Sequence, residues 1–340
     1  WGRGEHEQDE HMQRINTGVE VNLDWLQTHF DGRPSFHSKA ATKRLLAKLD
    51  KIDPDVVHLH VLTGYYINIE MLFKWLAVHR CKVNWTLHDC WDFTGHCIYF
   101  TYAKCDQWKG GCALSASCPQ KREYPEAWFA GDARVRENYE RKRNLFTMLE
   151  PADRVQLIVP SQWLENLVKQ SYLAKYNVKV VHNTINTDVF KPTPSNFRER
   201  YGLENKFIVL GVASKWSARK GLPDFVRLAH DLDSKKFSVV VVGLNKKQIK
   251  TMPKNIIALG KTDSTYELAG IYSTADIFFT PTVEDNYPTV NLEAEACGTP
   301  VLTYDTGGCG ETVQLSQSRV VSNYTSAVGF IEHFNKSRVR

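Results

Sequence analysis

The densest run of chemically capable residues is Thr282-Val-Glu-Asp-Asn-Tyr-Pro-Thr-Val-Asn-Leu-Glu-Ala-Glu-Ala-Cys-Gly-Thr-Pro-Val301. A strand is expected to end just before it, a loop to carry Glu284 and Asp285, and a helix to open near Thr289 and Val290 with Glu293 inside it. A helix start presents free backbone N–H groups and the positive end of a dipole, which favour phosphate. Carboxylates beside such a start can accept hydrogen bonds from sugar or ribose hydroxyls. An isolated acidic pair would serve equally as a helix cap and a solvated helix residue; the whole string favours binding. A second run, Gly211-Val-Ala-Ser-Lys-Trp-Ser-Ala-Arg-Lys-Gly-Leu222, lies between a strand and a helix. Its small residues present Ser214, Lys215, Arg219 and Lys220, a set able to hold a diphosphate by charge-assisted hydrogen bonds, or else to form a solvated basic turn. It lacks the Gly-x-x-x-x-Gly-Lys-[Ser/Thr] spacing, and the chain has no Gly-x-Gly-x-x-Gly. Two further strands end in histidine, at His58 and His60 and at His88. Asp53-Pro54-Asp55 imitates an Asp-x-Asp metal site, but it precedes a strand and is rejected as facing the wrong end.

These residues need elements to position them. From about residue 55 onward, short β-branched runs alternate with amphipathic stretches, the pattern of β-α-β units on a parallel sheet. Strands are expected at 56–61, 83–87, 155–159, 178–181, 207–211, 237–243, 256–259, 277–279 and 301–304. Helices are expected at 68–80, 132–149, 161–171, 222–232, 264–273 and 289–297. The strands at 239–242 and 277–279 are apolar on both faces, as strands covered by helices on both sides must be. Turn residues between His182 and Arg198 break the alternation. The fold class read from this is α/β, with two doubly wound Rossmann-like domains at 1–183 and 184–340 facing across a cleft, where the carboxyl ends of the strands would receive ligands. The first half offers fewer strands, and residues 1–4 read like the end of a unit already under way, so an opening β-α unit is expected to be missing.

Composition narrows the class further. The 340 residues carry 43 Lys+Arg against 38 Asp+Glu, a net charge of +5 that suits phosphate-bearing ligands or an anionic membrane surface but falls short of a nucleic-acid binder. No run of about 18 apolar residues occurs, and residues 1–10 are polar and acidic rather than a signal peptide. A cytoplasmic protein, working at the inner face of the membrane, is expected.

At the Glu284 to Val301 string the sequence resembles the glycosyltransferase family 4 retaining enzymes of GT-B fold, marked by two glutamates with seven residues between them, then Ala, Gly and Pro-Val. Glu293 takes the second place; Asp285 stands in the first, with Glu284 one residue further off. The resemblance implies that the first acid meets the donor sugar and Glu293 the nucleotide ribose. It makes Lys220 the phosphate lysine, puts Lys215 or Ser214 where the family has another basic residue, and makes His88 the histidine near the attacked sugar carbon. Pro160-Ser161-Gln-Trp163, Val181-His-Asn183, Leu268 to Asp276 and Thr306-Gly-Gly-Cys-Gly-Glu311 carry the resemblance along nearly the whole chain. It is nearest to the bacterial colanic-acid type of surface-polysaccharide enzymes, through His88-Asp-Cys-Trp-Asp-Phe-Thr-Gly-His-Cys97, Cys105, Trp108, Gly111-Cys112, Cys118-Pro119 and Glu123-Tyr124-Pro125.

Six of the eight cysteines fall between Cys81 and Cys118. In a chain with no export signal, a disulfide scaffold is the weaker reading. Cys97, Cys105, Cys112 and Cys118 could hold a structural zinc that tethers a long loop with no strand pattern, or be buried free thiols. The expected function is transfer of a sugar, with retention, from a nucleotide diphosphate sugar to a lipid-linked glycan acceptor in surface-polysaccharide synthesis, with peripheral membrane association, no catalytic cofactor and no nucleic acid. The alternatives are a GT-B sugar-nucleotide epimerase and a nucleotide-sugar-binding module without turnover.

Overall fold

A computed structural model describes residues 13–334; the readings made for residues 1–10 lie outside the described residues. The chain divides into two compact units, Trp1–Val181 and His182–Arg340, two residues before the expected boundary.

The first unit is built on four parallel strands, β1 (Val56–His60), β2 (Lys82–Thr86), β3 (Val155–Val159) and β4 (Asn177–Val180), in that spatial order. Helices Ile69–Val78, Asp132–Phe146 and Gln162–Val168 make the crossovers. Each of the first and third starts on a side-chain cap: Asn68 accepts from the Met71 N–H and Ser161 from the Leu164 N–H. Phe73, Trp85 and Phe146, all fully buried, meet with ring centroids 4.7 to 5.2 Å apart and fix the helices to the sheet. The connection from β2 to helix Asp132–Phe146 has only two short 3-10 turns, Trp91–Phe93 and Gln107–Lys109. Its own apolar residues, Trp91, Phe93, Phe100 and Trp108, are buried and extend the core.

The second unit holds β5 (Phe207–Val212), β6 (Phe237–Val242), β7 (Ile256–Leu259), β8 (Ile277–Thr280), β9 (Val301–Tyr304) and β10 (Arg319–Val321), all parallel, in the order β7-β6-β5-β8-β9-β10. Alternate residues feed two separate cores: Val209, Val239 and Phe279 pack on one face, Leu210, Val240 and Phe278 on the other. Counted from β5 this is the 3-2-1-4-5-6 order of doubly wound sheets, whose connections turn opposite ways on either side of the β5/β8 pair. Ligands of such sheets sit outside the carboxyl ends of the strands at that switch point.

The nine expected strands are present within about a residue. The expectation missed β10, only three residues long, and helices Gly18–Asp31, Lys39–Ile52, Phe197–Tyr201, Lys246–Thr251 and Tyr324–His333.

Candidate donor site

The switch point brings together the two loops that the sequence singled out. The loop after β5 carries residues 213–221 and the loop after β8 carries residues 281–288. They touch because Gly221, at φ +77°, has no Cβ: one built there would lie 2.1 Å from the Pro281 carbonyl oxygen. Gly243, after β6, approaches the Ala213 carbonyl in the same way, at 1.9 Å for a built Cβ. Further bonds hold the second loop in place. Val283 N–H donates to Arg219 O at 2.9 Å, Gly308 N–H to Asp285 O at 2.9 Å, and the Thr306 hydroxyl to Thr282 O at 2.7 Å. The Val181-His-Asn183 motif acts here as well: His182 stacks on Tyr287 at 4.8 Å, and the Asn183 amide donates to the Tyr287 carbonyl.

Between these loops lies a cavity of about 650 Å³, inside the range of roughly 300–1,000 Å³ usual for small-molecule sites. Its lining includes Ser214, Lys220, Asp285, Thr289, Val290 and Glu293. The Lys220 ammonium is paired with the Asp285 carboxylate. Helix Thr289–Ala296 begins at the cavity wall, so its unsatisfied N–H groups and dipole add positive potential there. Glu293, one turn in, accepts a hydrogen bond from the buried Tyr272 hydroxyl at 3.0 Å. Burial raises the Glu293 pKa, while the hydrogen bonds from Tyr272 and Thr289 oppose that rise. The cavity therefore joins a cation and a helix start suited to phosphate with two carboxylates suited to hydroxyls.

Three residues expected at the site are placed elsewhere. Lys215 is exposed and outside the lining. Arg219 turns its guanidinium to the Glu284 carbonyl, 3.9 Å from Asp285. Glu284 is fully buried and does not line the cavity, so of the two candidate acids Asp285 is the one that reaches it. Sequence reading missed Lys261, Thr262 and Asp263, which line the cavity from the loop after β7, and Thr265, the first residue of helix Thr265–Thr274. A Lys-Thr-Asp-Ser run at the carboxyl end of a strand was the available signal.

In the first unit, His88 follows β2. Its Nε2 lies 3.0 Å from Nδ1 of His60, the last residue of β1, and His58 Nε2 lies 2.8 Å from the Thr86 hydroxyl. Burial first, then His58, lowers the His88 pKa. Asp53 and Asp55 stand at the opposite, amino end of β1. Cys97, Cys105, Cys112 and Cys118 line one small cavity of the β2 to Asp132 connection; all are free thiols. Among the described residues no three His, Cys, Asp or Glu side chains stand where they could hold a metal ion, so the structural zinc expected of these four does not fit.

Residues 195–336 match the family model described as Glycosyl transferases group 1. A protein of Escherichia coli (strain K12) described as a colanic acid biosynthesis glycosyl transferase, WcaC, is 27% identical over 79% of this chain and 64% of its own length. The processive diacylglycerol alpha-glucosyltransferase of Acholeplasma laidlawii is 30% identical over 44% of this chain and 48% of its own. The chain thus spans less than two thirds of these curated relatives. Among solved structures, Anabaena Alr3699/HepE in complex with UDP superposes with a TM-score of 0.58 at 16% identity, covering 89% of this chain and 74% of that one. Sucrose-phosphate synthase from Thermosynechococcus elongatus gives 0.60 at 17%, covering 86% and 68%. At those identities the likeness is one of fold, with two Rossmann-like domains of GT-B type. The expected resemblance to GT-B glycosyltransferases, and within them to the colanic-acid type, is borne out.

Proposed function

We propose that the protein is a retaining glycosyltransferase of surface-polysaccharide or glycolipid synthesis. It takes a sugar from a nucleotide diphosphate donor and passes it to a hydroxyl of a lipid-linked glycan. The observation that carries this reading is the convergence of Lys220, Asp285, Glu293 and the start of helix Thr289–Ala296 on one cavity at the sheet's switch point. Lys220 and the helix start offset the charge that grows on the departing diphosphate, the electrostatic term that usually dominates such steps. Asp285 faces the transferred sugar and Glu293 the ribose hydroxyls. His88, held by His60, is read from the sequence resemblance as the histidine near the attacked carbon.

A membrane-side workplace is supported by helix Gly18–Asp31. It buries Asp24, Thr28 and His29 and exposes Val19, Leu23, Leu26 and Phe30 along one face, Phe30 at 64%, with Trp128 and Phe129 also exposed. Phe129 meets Phe30 and Trp128 meets Trp25 at ring distances of 5.3 and 5.9 Å, so these side chains form one patch. The following helix, Lys39–Ile52, exposes Lys39, Lys43, Lys48 and Lys51, charges that complement anionic lipid. Among the described residues no helix is long and apolar enough to cross a membrane.

A thermal-shift panel of nucleotides and nucleotide sugars tests the donor site. A ligand at 100 times its Kd stabilises by about 2.7 kcal/mol. Stabilisation by a nucleotide diphosphate and its sugar, only weakened in Lys220→Ala, is expected; a chain indifferent to the whole panel would remove the reading. Turnover of a bound donor to a transferred sugar, rather than to an epimer or to nothing, separates the transferase from the epimerase and the binding module.

A further inference from the structure

The large cavity of the second unit follows the carboxyl edge of the sheet from β8, past β5 and β6, to β7. Its ends are three strand spacings apart, roughly 14 Å, about the reach of an extended nucleoside diphosphate. Lys220, Asp285 and the start of helix Thr289–Ala296 mark the β5/β8 end, where the phosphates belong, and Glu293, one turn into that helix, takes the ribose. The base is left with the β7 end. There Val242 and Leu268 offer apolar surface to the faces of a ring, and Lys261, Thr262 and Asp263 offer polar atoms to its edge.

The backbone of that polar run is held in place. Ser264 caps helix Thr265–Thr274, accepting from the Glu267 N–H at 3.1 Å, and the Glu267 carboxylate accepts from the Asp263 N–H at 2.9 Å. Gly243 N–H donates to the Gly260 carbonyl at 3.1 Å, which ties the run to the end of β6. Glu267 is thus engaged by backbone. The Asp263 carboxylate and the Lys261 ammonium, by contrast, have no hydrogen bond or ion pair among the described residues, and they do not pair with each other. Both residues are exposed, so their charges are not needed to hold the fold. Together they present a donor beside a two-oxygen acceptor to whatever fills this end of the cavity.

Nucleobases differ in how well their edges answer that pattern. Guanine presents a carbonyl oxygen, O6, followed by two donors, N1–H and the N2 amino group; an ammonium meets the first and a carboxylate accepts from both of the others. Uracil has a single donor, N3–H, between two carbonyls, so the second carboxylate oxygen would face a carbonyl oxygen. Adenine and cytosine place a ring-nitrogen lone pair beside the amino group, and a carboxylate oxygen would oppose that as well. We propose, resting on the donor-site reading above, that the donor is a guanosine diphosphate sugar whose base is read by Asp263 at N1–H and the N2 amino group and by Lys261 at O6. A wrong base takes water from the carboxylate and returns fewer hydrogen bonds, which is how such a site discriminates.

Calorimetric titration of the full chain with the diphosphates of guanosine, uridine, adenosine and cytidine tests this. Guanosine diphosphate is expected to bind about 10- to 100-fold more tightly than the other three, the discrimination that a bidentate base contact supplies. Asp263→Ala should bring it down to the level of uridine diphosphate, whose own affinity should move by less than about twofold, as befits an exposed residue that this base does not use. Asp263→Asn replaces two acceptor oxygens by one carbonyl and one amide N–H. It should bind xanthosine diphosphate, which has a carbonyl where guanine has its amino group, more tightly than the unaltered chain does; a residue that merely shaped the loop would not exchange one base for another. Equal binding of the four diphosphates, preference for another base, or a guanosine preference that survives Asp263→Ala overturns the assignment and leaves the donor site standing. A chain that binds no diphosphate removes the donor reading, and this assignment with it.

Discussion

Lys220 and Asp285 lie 65 residues apart in the chain and meet only because their strands are neighbours at the switch point of the sheet. Their pairing gives Lys220→Ala a specific expected signature: kcat should fall by about 10²–10³-fold, since the charge is needed most where the diphosphate departs. The melting temperature should change little, because the residue is partly solvated; equal loss of both would mark it as structural. Glu293 gives a second residue-level prediction. Its raised pKa means that it takes up a proton at a higher pH than an ordinary glutamate. An ionised Glu293 binding ribose hydroxyls then loses affinity as pH falls through that raised value, and Glu293→Gln should bind nucleotide about tenfold more weakly, without that acid-side decline. Calorimetric titration of both proteins between pH 4.5 and 8 checks this. Lys220, Asp285 and Glu293 were legible in the sequence because each lies just after a strand, in a loop or at a helix start. Lys215 and Glu284 were not separable from them, since which neighbour of a loop pair turns inward depends on contacts such as the Arg219 bond to the Glu284 carbonyl.

At the scale of elements, the second unit could be read strand by strand because its apolar runs serve two cores at once. Helix Gly18–Asp31 could not, since its pattern is inverted: Asp24, held by the Ser38 and Thr28 hydroxyls, is inside, and Leu23 and Leu26 are outside. Such a face is expected to seek a lipid surface. Leu26→Glu with Phe30→Glu should abolish cosedimentation with vesicles containing anionic lipid while leaving nucleotide binding unchanged; vesicle binding that survives the double change would assign the patch another purpose. Gly221 supports the opposite kind of expectation. Ala there meets both a φ of +77° and the Pro281 carbonyl, so Gly221→Ala should cost at least about 1–3 kcal/mol and displace the loop bearing Lys220. Chemical denaturation and nucleotide affinity, measured together, check it.

The whole molecule carries two Rossmann-like units, the first on four parallel strands and the second on six. The two-unit α/β plan was legible from the alternation of strands and helices and from the turn residues near Pro192 and Pro194. The β2 to Asp132 connection was legible only in composition, because its buried Trp91, Phe93, Phe100 and Trp108 extend the core without a regular period in the sequence. The central claim is transfer with retention, and one measurement bears on it most directly. The full chain is incubated with the nucleotide sugar that stabilises it most and with lipid-linked glycan acceptors, and the product linkage is read by proton NMR. The account predicts a new glycosidic bond with the donor's anomeric configuration, lost in Lys220→Ala. A product of inverted configuration, or a bound donor that is never transferred to any acceptor, would contradict it.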